Sequence, residues 1–208
     1  STLVSGQENT AIGYNALATT TVSDNTGIGA YAGDALTTGA NNTCVGAYAL
    51  SAATTGASNV MVGAWAGDVL TTGSDNTGIG IHSLGALTTA GSNTAVGASA
   101  GINTTTGDSN TSLGTSAFAA NTTGASNVAV GVQALDANTT AANNTAVGYQ
   151  ALSANTTAAN NTAVGRAALL VNTTGGTNVA VGAYCLDANT TGGFGTGVGY
   201  AALGANTT

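Results

Sequence analysis

The chain has 208 residues, 43% hydrophobic and only 4% charged, where ordinary soluble domains carry roughly 25% charged residues. It contains 32 Gly, no Pro and a single cation, Arg166, for a formal net charge of −7. Binding phosphate takes a basic patch, so nucleic acid and anionic membrane surfaces are excluded as partners. No apolar run approaches the roughly 20 residues that span a bilayer, so no membrane insertion is expected. No basic segment leads into an apolar one, so no secretory signal is expected either. The start at Ser1 reads as a processed product or an excerpt of something longer.

The whole chain is one repeat. Asn25, Asn42, Asn59, Asn76, Asn93, Asn110, Asn127, Asn144, Asn161 and Asn178 recur every 17 residues, and Gly195 holds the next place. Asn9 opens an earlier unit that is one residue short, which makes twelve units. Positions are numbered from that Asn. Position 5 is always Gly (Gly13, Gly29, Gly46, on to Gly199), position 4 is always aliphatic, and position 8 is Ala except at Ser83 and Cys185. Positions 13 and 14 are Thr-Thr in every full-length unit.

A period of 17 is too short for a helix pair and fits one turn of a solenoid. Thr or Val at position 2 and an aliphatic at position 4 predict a short strand, which Gly at position 5 ends. A second extended stretch is expected over positions 7 to 9 and a third over 12 to 14. Gly and Asn at positions 15 to 17 and 1 make the next corner. Stacked coils sit about 4.8 Å apart, so twelve would form a rod on the order of 58 Å long. The expected fold is therefore all-β, a β-solenoid (β-roll or β-helix) over residues 1–208, with no separate cap or tip domain.

A volume exchange marks the core. Leu135, Leu152 and Phe118 at position 9 accompany Asn138, Asn155 and Asn121 at position 12, whereas Gly33 and Gly67 accompany Leu36 and Leu70. A narrow, close-packed interior requires such compensation. Leu84 with Leu87, and Gly101 with Thr104, depart from it. The Asn series from Asn121 to Asn206 reads either as a stacked amide ladder or as turn chemistry. Apolar content per coil is thin, and the Ala column at position 8 reads as a close approach between chains. A homotrimer is expected on that ground, beside a monomeric solenoid or an end-to-end filament.

Catalysis needs convergent acid–base or nucleophilic groups. One His, one Arg and no Lys do not supply them, so no enzyme activity is expected. Asp34, Asp68, Asp136 and Asp187 share position 10 in non-adjacent coils, too far apart for a carboxylate pair or a metal. No metal or other cofactor is expected. Cys44 and Cys185 lie eight coils apart, too far to pair within one rod, and read as small fillers. The Asn-x-Thr sequons at Asn41, Asn121 and Asn155 come with the repeat.

Positions 6, 7 and 10 vary most and mark the solvent face. Tyr31, Tyr48, Trp65 and His82 occupy position 7 in four consecutive coils. They form a candidate binding ladder for a sugar, or a packing surface for a neighbouring chain, or simple cross-strand stacking. The Thr columns raise ice binding. Adjacent positions 13 and 14 should point to opposite faces of a strand, which leaves a single outward column.

The unit NTAVGYQALSANTTAA, Asn144 to Ala159, resembles a repeat of phage tail-fibre proteins and related bacterial surface proteins. Its N-T-A-V-G segment is similar to the head repeat of trimeric autotransporter adhesins, whose units are shorter. The resemblance implies a fibre shaft or adhesive module with no catalytic residues to carry over, located outside the cell, on its surface or on a virion. It implies self-association and a cell-surface glycan as partners. A self-assembling extracellular filament and an ice-binding protein are the alternatives.

Overall fold

The structure is a computed structural model and describes residues 6–208. Twelve three-residue strands, from Thr10–Ile12 (β1) and Thr26–Ile28 (β2) to Thr196–Val198 (β12), follow one another along the chain. They form one parallel sheet whose spatial order is the chain order. β1 pairs with β2 at Thr10↔Thr26, one residue short of the 17-residue step of the later pairs, such as Thr43↔Val60. The fold is a β-solenoid built on a 17-residue coil.

Only positions 2 to 4 form strand. The stretches expected at positions 7 to 9 and 12 to 14 are turns and bends. Positions 7 and 9 both carry positive φ, for instance 58° at Tyr48 and 54° at Leu50. A backbone that enters the left-handed region twice within three residues cannot be a strand. Its amides still bond between coils: Tyr48 N–H donates to the Ala30 carbonyl at 2.9 Å, and Leu50 N–H to the Ala66 carbonyl at 3.0 Å. Such bonds recur in coil after coil and hold left-handed residues that cost about 1–2 kcal/mol each when unsupported.

Gly at position 5 is required for two reasons. Its φ is 134° at Gly46, outside the range of L side chains, and a methyl added there would lie 2.6 Å from the Gly63 carbonyl oxygen. Corners of neighbouring coils therefore touch backbone to backbone.

The core is narrow. Positions 3, 8, 9 and 12 point inward: Cys44, Ala49, Leu50 and Ala53 in one coil, Ala146, Ala151, Leu152 and Asn155 in another, all fully buried. The Ala column at position 8 thus closes each coil's own interior, which removes the ground on which it was read as a contact between chains. Position 4, aliphatic in every coil, points out rather than into the core. Ile12 is 60% exposed and Leu113 46%.

The volume exchange is visible as contact at Gly33, where a methyl would come within 3.0 Å of Leu36 Cδ1; at Gly67 the space is taken instead by Met61 of position 3, whose Sδ would lie 2.9 Å from a methyl there. The glycines leave room for these large neighbours.

Two asparagine ladders run through the solenoid. At position 1, expected as a corner, Asn42 N–H and Nδ2 both donate to Asn25 Oδ1, at 3.0 and 3.2 Å. The N–H bond recurs at every step down to Gly195 N–H on Asn178 Oδ1. At position 12, Asn138, Asn155, Asn172 and Asn189 each donate Nδ2 to the Asn one coil earlier, at 2.9–3.2 Å. Their Nδ2 groups also reach the position 15 carbonyl of their own coil, as Asn155 does to Ala158 at 2.9 Å. Both expected readings of the second series, ladder and turn, are therefore realised at once. In coil 9 the carbonyl of Ala158 accepts from both ladders, from Asn144 and from Asn155.

Candidate functional site

The outer surface has three distinct parts. The first is the strand face. Positions 2 and 4 project from it and carry only Thr, Val, Ile and Leu in all twelve coils. Ile12, Ile28, Ile79, Leu113, Val164, Val181 and Val198 form an exposed aliphatic column along it.

The second is the Thr-Thr turn. Position 14 is exposed in these turns, whereas position 13 is exposed at Thr37 but half-buried from Thr54 to Thr190. Neither column points into the core, because the segment is a turn rather than a strand with two opposite faces. Their hydroxyls differ in use. Thr37 Oγ1 donates to the Thr54 carbonyl at 3.0 Å, and the same bond continues to Thr190 on Thr207.

The third is the corner at positions 6, 7 and 10, where the sequence places Tyr31, Tyr48, Trp65 and His82. These four come together as one stack. Ring centroids lie 5.0 Å apart for Tyr31–Tyr48, 6.2 Å for Tyr48–Trp65 and 5.2 Å for Trp65–His82, with interplanar angles of 12°, 3° and 9°. Tyr14 closes the other end edge-on, 5.4 Å from Tyr31. The left-handed φ at position 7, 58° at Tyr31 and 54° at Trp65, aims every ring the same way off the corner. Loss of hydration beneath its neighbours raises the pKa of the Tyr31 phenol, with smaller contributions from Tyr14 and Tyr48.

Stacking has a chemical consequence. A sugar binds an aromatic ring through the ring face, and the facing surfaces within this stack are already taken. Edges remain along its length. The stack stops at His82, because the next coil has Ser99 at position 7.

Beside that end lies a groove of about 350 Å³, lined by Asp68, Val69, His82, Gly85, Ala86, Ile102 and Asn103. Gly85, Ile102 and Asn103 are not evident as site residues from sequence. The signal for them is a Gly at position 10 between Asp68 and Ile102. Burial raises the Asp68 carboxyl pKa, and the nearby His82 opposes that in part. Burial also raises Asp34 and Asp136.

A second aromatic group sits further along the same corner. Arg166 Cζ lies 5.9 Å from the Tyr149 ring centroid and 5.5 Å from that of Tyr184, and Tyr184 meets Tyr200 edge-on at 5.9 Å. The chain's one cation is thus held between two rings. Positions 133 and 150 continue the position 7 column as an amide pair, Gln150 Nε2 donating to Gln133 Oε1 at 3.2 Å.

Among the described residues, no three His, Cys, Asp or Glu side chains gather as metal ligands would. Cys44 and Cys185 are free and buried, and burial pushes the Cys44 thiol up to about 12, so it stays protonated and unreactive. No helix among the described residues is long and apolar enough to cross a membrane. The arrangement offers ring edges, hydroxyls, amides and isolated carboxyls on a rigid frame. No protein-family model, curated protein or solved structure matches the chain.

Proposed function

We propose that the protein is a non-enzymatic shaft or adhesive module of an extracellular or virion fibre, and that its copies associate along the strand face. One observation carries this reading: positions 2 and 4 present an unbroken, charge-free surface of Thr and aliphatic side chains on all twelve strands. Contiguous apolar patches beyond about 300–600 Å² mark interaction surfaces. This column has the same side chains at every level, so a second copy in register meets it equally well along the whole length. The resemblance to tail-fibre and adhesin-head repeats supports a homotrimer as the form of that association.

Solution mass tests the reading. The wild-type protein is expected as a discrete oligomer. The variant Ile79→Glu/Leu113→Glu/Val164→Glu puts carboxylates on exposed positions of the face and is expected to be monomeric with an unchanged circular-dichroism spectrum. A wild-type monomer would sink the reading, and rods of indefinite length would replace it with an end-to-end filament.

The same face favours one second reading. Thr or Val at position 2 and an aliphatic at position 4 form flat, uncharged, regularly spaced ranks, which an ice-binding surface also requires. A monomer that shows thermal hysteresis, lost in Thr94→Tyr, would establish it.

A further inference from the structure

We infer that the groove at Gly85 is a binding site for a neutral saccharide. This deepens the adhesive part of the reading above and rests on it. It does not depend on whether copies associate through the strand face.

The groove is a missing side chain in a regular column. Position 10 runs Asp34, Ser51, Asp68, Gly85, Ile102, Ala119 through successive coils. Gly85 leaves Asp68 and Ile102 on either side of one open position: a methyl there would lie 3.7 Å from Asp68 Oδ1 and 3.6 Å from Ile102 Cγ1, so the gap takes the edge of a sugar ring rather than a whole ring. The cavity, about 350 Å³, falls within the usual range for small-molecule sites, roughly 300–1,000 Å³.

The walls match a polyol. Asp68 offers two carboxylate oxygens to a pair of neighbouring hydroxyls. Asn103 Nδ2 is held by the Ala119 carbonyl at 2.8 Å, which fixes the amide and leaves Oδ1 as an acceptor. Val69, 40% exposed, and Ile102 supply apolar surface for the C–H groups of a sugar. His82 is the aromatic ring that borders the groove, and it is the one ring of the four whose outer side is not followed by another ring at position 7. The stack behind it, with Trp65 at 5.2 Å and 9°, holds it rigid.

Charge selects the class. The groove contains an acid and no cation, the chain's single Arg lies at position 166, and net charge is −7. Phosphorylated, sulfated and sialylated sugars are disfavoured.

The experiment is a titration of the ¹⁵N-labelled protein with methyl α-D-mannopyranoside, methyl β-D-glucopyranoside, methyl β-D-galactopyranoside and methyl α-L-fucopyranoside. At least one is expected to give saturable shifts confined to the amides around His82, Gly85 and Asn103. Gly85→Leu fills the groove, and Leu170 and Ile102 occupy position 10 in other coils, so this variant is expected to fold. It should bind about tenfold more weakly or worse, and Asp68→Ala should weaken binding likewise. Saturation by none of the four sugars would overturn the inference, as would undiminished binding by Gly85→Leu. Mannose 6-phosphate binding as tightly as the neutral sugars would overturn the assignment to neutral ligands. The solution mass of Gly85→Leu should equal that of the wild type, which keeps this site separate from the association face.

Discussion

The first six coils and the last six fill the same backbone in different ways. In the first, position 9 alternates Leu17, Gly33, Leu50, Gly67, Leu84, Gly101, and position 12 carries Thr20, Leu36, Ala53, Leu70, Leu87, Thr104. In the second, position 9 is Phe118 and then Leu throughout, and position 12 is Asn throughout. The buried apolar side chains accordingly form two clusters, one ending at Ala100 and the other beginning at Ala117. Between them, Asn121 Nδ2 donates to Thr104 Oγ1 at 3.4 Å, so a Thr caps the start of the second ladder.

The difference teaches what the frame demands and what it leaves free. Apolar filling must be agreed between neighbouring coils, as Met61 occupies space left by Gly67 and Gly78. The Asn filling repeats with each coil, because from Asn121 to Asn189 each amide finds one partner in its own coil and one in the previous coil; Asn206, exposed in the last coil, lies outside the ladder. Freedom in the first half extends to the surface. The aromatic stack and the Gly85 groove both belong to it.

The largest expected effects should be shared by both halves. Gly46→Ala and Gly165→Ala each place a methyl 2.6 Å from the next coil's Gly carbonyl oxygen, at φ of 134° and 136°. Each should cost about 3 kcal/mol or more in denaturant unfolding. A large difference between them would mean that the frames themselves differ.

Exchanging the fillings should come next. Asn155→Leu removes the acceptor of Asn172 and the donor to Asn138 and crowds Leu152, for an expected loss of about 3 kcal/mol. Leu70→Asn leaves a gap beside Gly67 and should cost about 2–3 kcal/mol. Gly67→Leu alone drives into Met61 and should also destabilise. Combined with Met61→Ala it recreates the Ala–Leu filling of Ala146 with Leu152, and the double-mutant cycle should show favourable coupling of about 1 kcal/mol. Strict additivity would end the account of volume exchange.

The smallest effect concerns pH. Burial raises Asp34, Asp68 and Asp136. A carboxyl whose folded pKa exceeds its unfolded one contributes stability that is full below the unfolded pKa and is lost as pH rises through the folded pKa. Stability should therefore rise modestly on acidification from neutral pH into the carboxylate range, the reverse of ordinary acid denaturation. Asp34→Asn/Asp68→Asn/Asp136→Asn should flatten the profile. Denaturant midpoints measured across that range decide the point.

Much of the fold is legible in the sequence because the repeat compares each coil with eleven others. The invariant Gly at position 5, the Leu–Gly exchange and the alignment of Tyr31, Tyr48, Trp65 and His82 all follow from counting in steps of 17. The Asn ladder at position 1 was equally open to discovery. Its near-invariance was the signal, and turn chemistry masked it. The Gly85 groove was hidden because it is an absence, a gap defined only by side chains one coil above and one below.

By itself the sequence determined the period, the strand, the corner and the two ways of filling the core. Only the tertiary structure decided which side of the strand faces inward. Hydrophobicity puts Val and Ile of position 4 inside and Ala, Gly and Ser of position 3 outside. The solenoid does the opposite: Ala146 at position 3 is fully buried, and Leu113 at position 4 is 46% exposed. The interior is already occupied by position 9, position 12 and the Asn of position 1, so position 3 takes a small residue, except Met61, which sits where Gly67 and Gly78 leave room. Steric room within the coil overrides apolar burial and turns the aliphatic column outward.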